Sequence, residues 1–156
     1  MSAESRLQTL LDDLVSRVTT LESERAASGL MHRYAALLDN PAPESLASLF
    51  TDDGVLATGR GTHSGRDEIA GFFRSARAAD DSDKRHFICQ PELRAYTPDR
   101  VRLQCYFGYT ARAGDGSGIG WGTYTAEVCT DSGEALFESL TIDLHVGTDL
   151  ERGWGR

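Results

Sequence analysis

The sequence predicts an α+β fold, a cone-shaped α+β barrel in which a curved antiparallel sheet is covered by N-terminal helices. Two observations carry this. Helical periodicity dominates the first half, at residues 5–38 and 65–79, whereas from residue 84 onward four runs are rich in β-branched and aromatic residues. Helices come first and strands afterwards, which separates α+β from an alternating α/β chain. A strongly curved sheet closed on one side by helices leaves a pocket inside the cone.

The elements follow in order. Leu7, Leu11, Leu14, Val18 and Leu21 recur with the heptad rhythm of a helix seam. The rhythm stops at Arg25 and Ser28, and a second stripe of Leu30, Tyr34 and Leu37, flanked by Met31, Ala35 and Leu38, replaces it. One long helix, or two joined near Ser28-Gly29, explains both stripes. The first is expected to pack on another subunit and the second on the domain's own core. Asn40-Pro41 is expected to start a short helix carrying Leu46, Leu49 and Phe50, since proline is tolerated in a first helical turn. "TDDGVLATG" reads as a turn into a short strand, and "GRDEIAGFFRSARAA" as an amphipathic helix presenting Ile69, Phe72, Phe73 and Ala76. The strand runs are "RHFICQPELRAY", "RVRLQCYFGYTARA", "GWGTYTAEVCT" and "ALFESLTIDLHV". Pro98-Asp99, Gly114-Asp115-Gly116 and Asp131-Ser132-Gly133 supply the turns between them. The organisation expected is a helical extension at 1–21, one domain at 22–148 and a tail at 149–156.

Composition narrows the partners. The net charge of −8, without a basic stripe, argues against nucleic acid. No apolar run approaches a membrane span, and Met1 is followed by a polar, charged stretch rather than a signal sequence. Cys89, Cys105 and Cys129 lack CxxC spacing and are odd in number, so neither a disulfide framework nor a zinc site is expected. They read as small core residues of a cytoplasmic protein.

Few stretches carry chemistry. The glycines of "AGDGSGIGWG" lie between two strands, whereas a dinucleotide or phosphate loop needs a helix to follow, so a hairpin is expected. Gly118, Gly120 and Gly122 alternate, leaving one strand face bare for another group to approach. His32, His63 and His145 read as solvated, and no histidine pair has metal-ligand spacing, so no metal is expected. His86 opens a strand in which His86, Ile88 and Gln90 share one face. On residues alone it is either a half-buried strand histidine or a pocket group. Asp39 poses a sharper question: it ends a helix, where the negative end of the backbone dipole disfavours a carboxylate. Either it belongs to the turn or the fold holds it there.

The succession "RYAALLDNPAPESLASLFTDDGVL", "GRDEIAGFF" and "RHFICQPEL" resembles the SnoaL-like branch of the nuclear transport factor 2-like superfamily over residues 22–146. Within it, the chain is most similar to the branch of scytalone dehydratase, bile-acid 7α-dehydratase and hexachlorocyclohexane dehydrochlorinase. The resemblance implies a catalytic pair of Asp39 and His86, with Tyr34 matching the helix tyrosine of the bile-acid enzyme. It implies a pocket touched by Trp121 and Phe107, and a cofactor-independent, dehydratase-like lyase acting on a small hydrophobic ring substrate such as a polyketide or steroid. His86 would be the general base, Asp39 its orienting partner and Tyr34 a hydrogen-bond donor. An isomerase or polyketide cyclase would use the same parts. The superfamily also holds non-catalytic members, the small subunits of aromatic-ring dioxygenases and ligand-binding domains. A homo-oligomer is implied, a trimer before a dimer. The chain departs from scytalone dehydratase in two ways: "GIGWGTYTA" has no second pocket histidine, and the C-terminal lid is cut to "GTDLERGWGR".

Overall fold

The computed structural model describes residues 2–114, 116–131 and 133–151. Helix α1 (Ala3–Asp39) is a single unbroken helix, so Ser28-Gly29 is no joint. Its start is capped by Ser2, whose hydroxyl accepts the Ser5 N–H at 3.1 Å. The two stripes part company in space. From Ser23 onward the helix buries Ala27, Leu30, Met31, Tyr34 and Ala35, whereas residues 2–18 are exposed throughout. Ser23 locks the junction by donating to the Pro98 carbonyl at 2.6 Å, and Glu24 accepts the Ala95 N–H at 3.2 Å.

The short helix α2 (Pro43–Ala47) begins two residues later than the sequence suggests, with Pro43 in its first turn. Leu49 and Phe50 fall outside it, and Phe50 instead opens strand β1 (Phe50–Thr58). A strand that the sequence reading missed, β2 (Gly61–Ser64), forms a hairpin with β1 and takes in His63. Helix α3 (Gly65–Ala79) buries Ile69, Ala70 and Phe73. Four long strands follow, β3 (Asp83–Thr97), β4 (Arg100–Ala113), β5 (Gly116–Cys129) and β6 (Leu136–Asp149). Residues 115, 132 and 152–156 lie outside the described residues, and with them parts of two expected turns and of the C-terminal tail.

The six strands make one sheet in the order β2-β1-β6-β5-β4-β3. All neighbours are antiparallel except β1 and β6, which run parallel. The sheet does not close: β2 and β3 are its edges, and helices rather than a further ladder of hydrogen bonds complete the enclosure. Helix α1 packs on β3 and β4, and α3 on β1 and α2. Between them sits one core in which Val101, Leu103, Phe107, Tyr124, Val128, Phe137 and Leu140 project from the sheet toward Leu30, Tyr34, Leu46 and Ile69. Each fully buried Leu, Ile or Phe contributes about 1.5–3 kcal/mol.

Two details of register matter for the site. Strand β3 carries one extra residue between Cys89 and Glu92, where Gln90 adopts φ 51° and Pro91 has no N–H to give a ladder. The inward face therefore switches from Lys84, His86 and Ile88 to Leu93 and Ala95. Gln90 is exposed, contrary to the simple alternation read from sequence, and Cys89 faces outward while Cys105 and Cys129 are buried. The second detail is the bare face of β5. In register, Tyr109 lies opposite Gly120 and Phe107 opposite Gly122, and each ring covers its glycine.

A Cβ on Gly122 would overlap the Asp143 carbonyl and stand 2.8 Å from the Phe107 ring. The carbonyl is backbone and cannot turn aside. Gly122→Ala is expected to destabilise the fold by about 1–3 kcal/mol, read as a lowered midpoint in urea unfolding. Ser117→Ala, at an exposed position nearer the start of the same strand, should leave the midpoint unchanged.

Candidate active site

The end of α1 and the start of β3 meet at Asp39 and His86. One carboxylate oxygen, Asp39 Oδ1, accepts two hydrogen bonds from the same residue, from the His86 backbone N–H at 2.8 Å and from the ring Nδ1–H at 2.9 Å. No basic residue occupies the last turn of α1, so these two donors are what compensate a carboxylate placed against the helix dipole. The His86 side chain is 11% exposed and that of Asp39 27%. Burial lowers the His86 pKa below its ordinary 6.5; the Asp39 hydrogen bond and charge oppose that shift, and the Lys84 ammonium adds slightly to it. The ring is therefore neutral at pH 7. With Nδ1 donating to the carboxylate, the lone pair sits on Nε2, which has no hydrogen-bond partner among the described residues.

His86 opens onto a cavity of about 290 Å³ that also takes in Asp80, Lys84 and Tyr109. Its apolar wall comes from Leu38, Phe72, Phe73, Phe107, Tyr124 and Ile142. Tyr34, fully buried, lies edge-on to Tyr124 and Phe137 at 5.7 Å each. Its hydroxyl has no hydrogen-bond partner among the described residues, and burial pushes the phenol pKa above its ordinary 10. It is thus a neutral donor without an internal acceptor. Phe107 stacks on Tyr124 with ring centres 4.2 Å apart, and the Tyr109 ring lies 6.1 Å from that of His86. At the rim, Lys84 Nζ binds Asp80 Oδ2 at 2.6 Å, which holds the Asp80 pKa down at about 2.

The structure thus brings Asp39, His86, Tyr34 and Phe107 to one place. Trp121 is not there. Gly120 and Gly122 turn inward to admit the Tyr109 and Phe107 rings, so Trp121 between them turns outward, 40% exposed, against the ring of His145 at 4.9 Å. His145 also meets Thr123 and Asp143 on that outer face, and His32 bonds the Ser28 carbonyl on the exposed side of α1. His63 is not solvated as read from sequence: its ring packs on Phe72 at 4.7 Å, and its Nε2 is buried. Among the described residues no three His, Cys, Asp or Glu side chains gather as metal ligands. Tyr109 and Tyr124 escaped the sequence reading, although strand phase could have found them. Tyr109 shares the parity of Phe107, and Tyr124 that of the inward glycines.

A family profile described as a SnoaL-like domain matches residues 19–141. Among solved structures, LinA superposes with a TM-score of 0.79 at 19% identity, covering 90% of this chain and 98% of that one. A scytalone dehydratase-like protein from Novosphingobium aromaticivorans gives 0.76 at 21% identity, over 85% and 91%. A type 2 hexachlorocyclohexane dehydrochlorinase gives 0.70 at 21%, over 90% and 92%. At such identities the likeness concerns the fold. No curated protein matches the sequence. No helix among the described residues is long and apolar enough to cross a membrane.

The opposing influences on His86 yield a signed expectation. Asp39→Asn removes the charge that raises the imidazole pKa and leaves the burial that lowers it. The His86 pKa, followed by NMR titration of the ring carbon-bound protons, should fall further below 6.5 in that variant. A rise would mean that Asp39 does not stabilise the imidazolium.

Proposed function

The chain belongs to the SnoaL-like domain family, and on that ground we propose that it is a dehydratase-like lyase whose base is His86. The observation that carries this reading is the neutral imidazole, tied through Nδ1 to Asp39 and opening onto an apolar cavity. Nε2 takes a proton from a carbon beside a ring carbonyl, and the electron pair moves onto the carbonyl oxygen. The unpartnered Tyr34 hydroxyl donates to that oxygen. The enolate then expels a β-hydroxyl, which leaves as water with the proton returned by the imidazolium. Asp39 orients the ring and stabilises its charged form. Isomerisation and cyclisation share the first step. A general base of this kind supplies about 10²–10⁴-fold, enough for an already acidic C–H. The names of the similar structures, a dehydratase and a dehydrochlorinase, describe eliminations and support the same direction.

Assembly belongs to the same proposal. Leu7, Leu11, Leu14, Val18 and Leu21 are 47–65% exposed on a helix arm that stands clear of the core, and Leu10 and Val15 widen their stripe. A patch of this kind is stable when a like surface covers it. Copies of this chain pairing along the heptads, three rather than two given the wide seam, provide that cover.

The chemistry is tested by following α-proton exchange of 2-tetralone in heavy water. Wild-type protein should accelerate exchange, and His86→Ala should remove about 10²–10⁴-fold of it. Tyr34→Phe should cost about tenfold, as the loss of one hydrogen bond to a developing charge implies. Because the free imidazole is the active form and its pKa lies below 6.5, the rate should rise with pH through a midpoint below 6.5 and approach its plateau above it. Undiminished exchange in His86→Ala would place the base elsewhere. For assembly, light scattering should report a trimer that becomes a monomer when residues 2–20 are deleted.

A further inference from the structure

The cavity has an apolar interior but a cationic rim. Arg60 stands at the tip between β1 and β2, and Arg77 lies in the last turn of α3; both line the cavity mouth with Lys84. Lys84 is neutralised by Asp80. Neither guanidinium makes a side-chain hydrogen bond or ion pair among the described residues. Arg66, Arg74, Arg85, Arg100, Arg102 and Arg112 all hold carboxylates, whereas Arg6, Arg25, Arg33 and Arg94 hold none among the described residues and lie away from the cavity, so Arg60 and Arg77 are set apart by their place at its lining. A cation in the last turn of α3 is favoured by the helix dipole, which accounts for Arg77 alone. Arg60 is in a turn and has no such reason. Its position is fixed, since its N–H donates to Thr58 Oγ1 at 3.0 Å and Gly61 follows with φ 128°.

Arg60 and His86 enter the cavity from different sides. Arg60 comes from the β1–β2 edge of the sheet, and His86 from β3, the opposite edge. A molecule filling the cavity against His86 thus presents its other end to Arg60, and Arg77 lines the same cavity. We propose that the ligand is amphiphilic: an apolar ring inside, with an anionic oxygen group, carboxylate or phosphate, bound by Arg60 and Arg77 at the mouth. Guanidinium forks match either group through paired N–H donors. This deepens the functional reading above and rests on it only for which end of the ring meets His86.

Binding can be measured without turnover. 2-Naphthoate, 2-naphthyl phosphate and the neutral 2-naphthamide are titrated into the full chain at low ionic strength, by calorimetry. At least one anion should bind about tenfold more tightly than the amide, as two partly exposed charge-assisted contacts supply. Preference for the carboxylate points to a free acid, and preference for the phosphate to a phosphorylated ligand or carrier. The double variant Arg60→Gln/Arg77→Gln should erase the preference while binding the amide as before, its fold checked by circular dichroism. Arg94→Gln, exposed on β3, should keep it, and so should His86→Ala. Equal affinities, no binding by any naphthyl probe, or a preference that survives the double variant would overturn the proposal. So would its loss in His86→Ala, which would move the anion to the imidazole. An intact preference in a chain inert toward 2-tetralone would strike the chemistry and spare the anion site.

Discussion

The site depends on one carboxylate in an unfavourable place. Asp39 closes a helix at the negative end of its dipole, and it is held there by two N–H groups of a single residue on another element. The backbone bond fixes where β3 begins relative to α1, and the ring bond fixes how the imidazole is turned. Because one oxygen accepts both, the helix end, the strand start and the tautomer cannot be adjusted separately. The rest follows from that clamp. The phase of β3 points Lys84, His86 and Ile88 inward, and the bulge at Gln90-Pro91 then switches the inward set to Leu93 and Ala95, beneath α1.

The cavity exists because the sheet gives up side chains where rings must stand. Gly120 and Gly122 let Tyr109 and Phe107 approach the backbone of β5, and the rings line the space into which His86 opens. The same alternation sends Trp121 to the far side. Inside, the Tyr34 hydroxyl has no partner among the described residues, at a cost of about 1–3 kcal/mol. A buried donor without an acceptor is a poor choice for packing alone, where phenylalanine would serve, and a fitting one for a ligand oxygen.

Much of this was legible in the chain, and the misses share a cause. The α+β order, the bounds of α3 and the bare face of β5 follow from local periodicity, which a sequence displays directly. The Asp39–His86 meeting spans 47 positions and no local pattern encodes it; family resemblance supplied it, and the mismatch between Asp39 and the helix dipole flagged it. Trp121 was misplaced because nearness in a strand says nothing about face until the phase is fixed, and Gln90 because a bulge resets that phase. Strand β2 is only four residues long and shows too little alternation to be seen. Arg60 and Arg77 carry no local signal, since the sequence does not tell which arginines find carboxylates.

The central claim is that Asp39 holds His86 as a neutral imidazole with its proton on Nδ1 and its lone pair on Nε2, facing the cavity. Nitrogen-15 NMR of the imidazole at pH 7 tests it most directly. The account predicts a protonated Nδ1 and an unprotonated Nε2, with the Nδ1 proton shifted downfield by its bond to Asp39. A proton on Nε2, or an imidazolium at that pH, would contradict it.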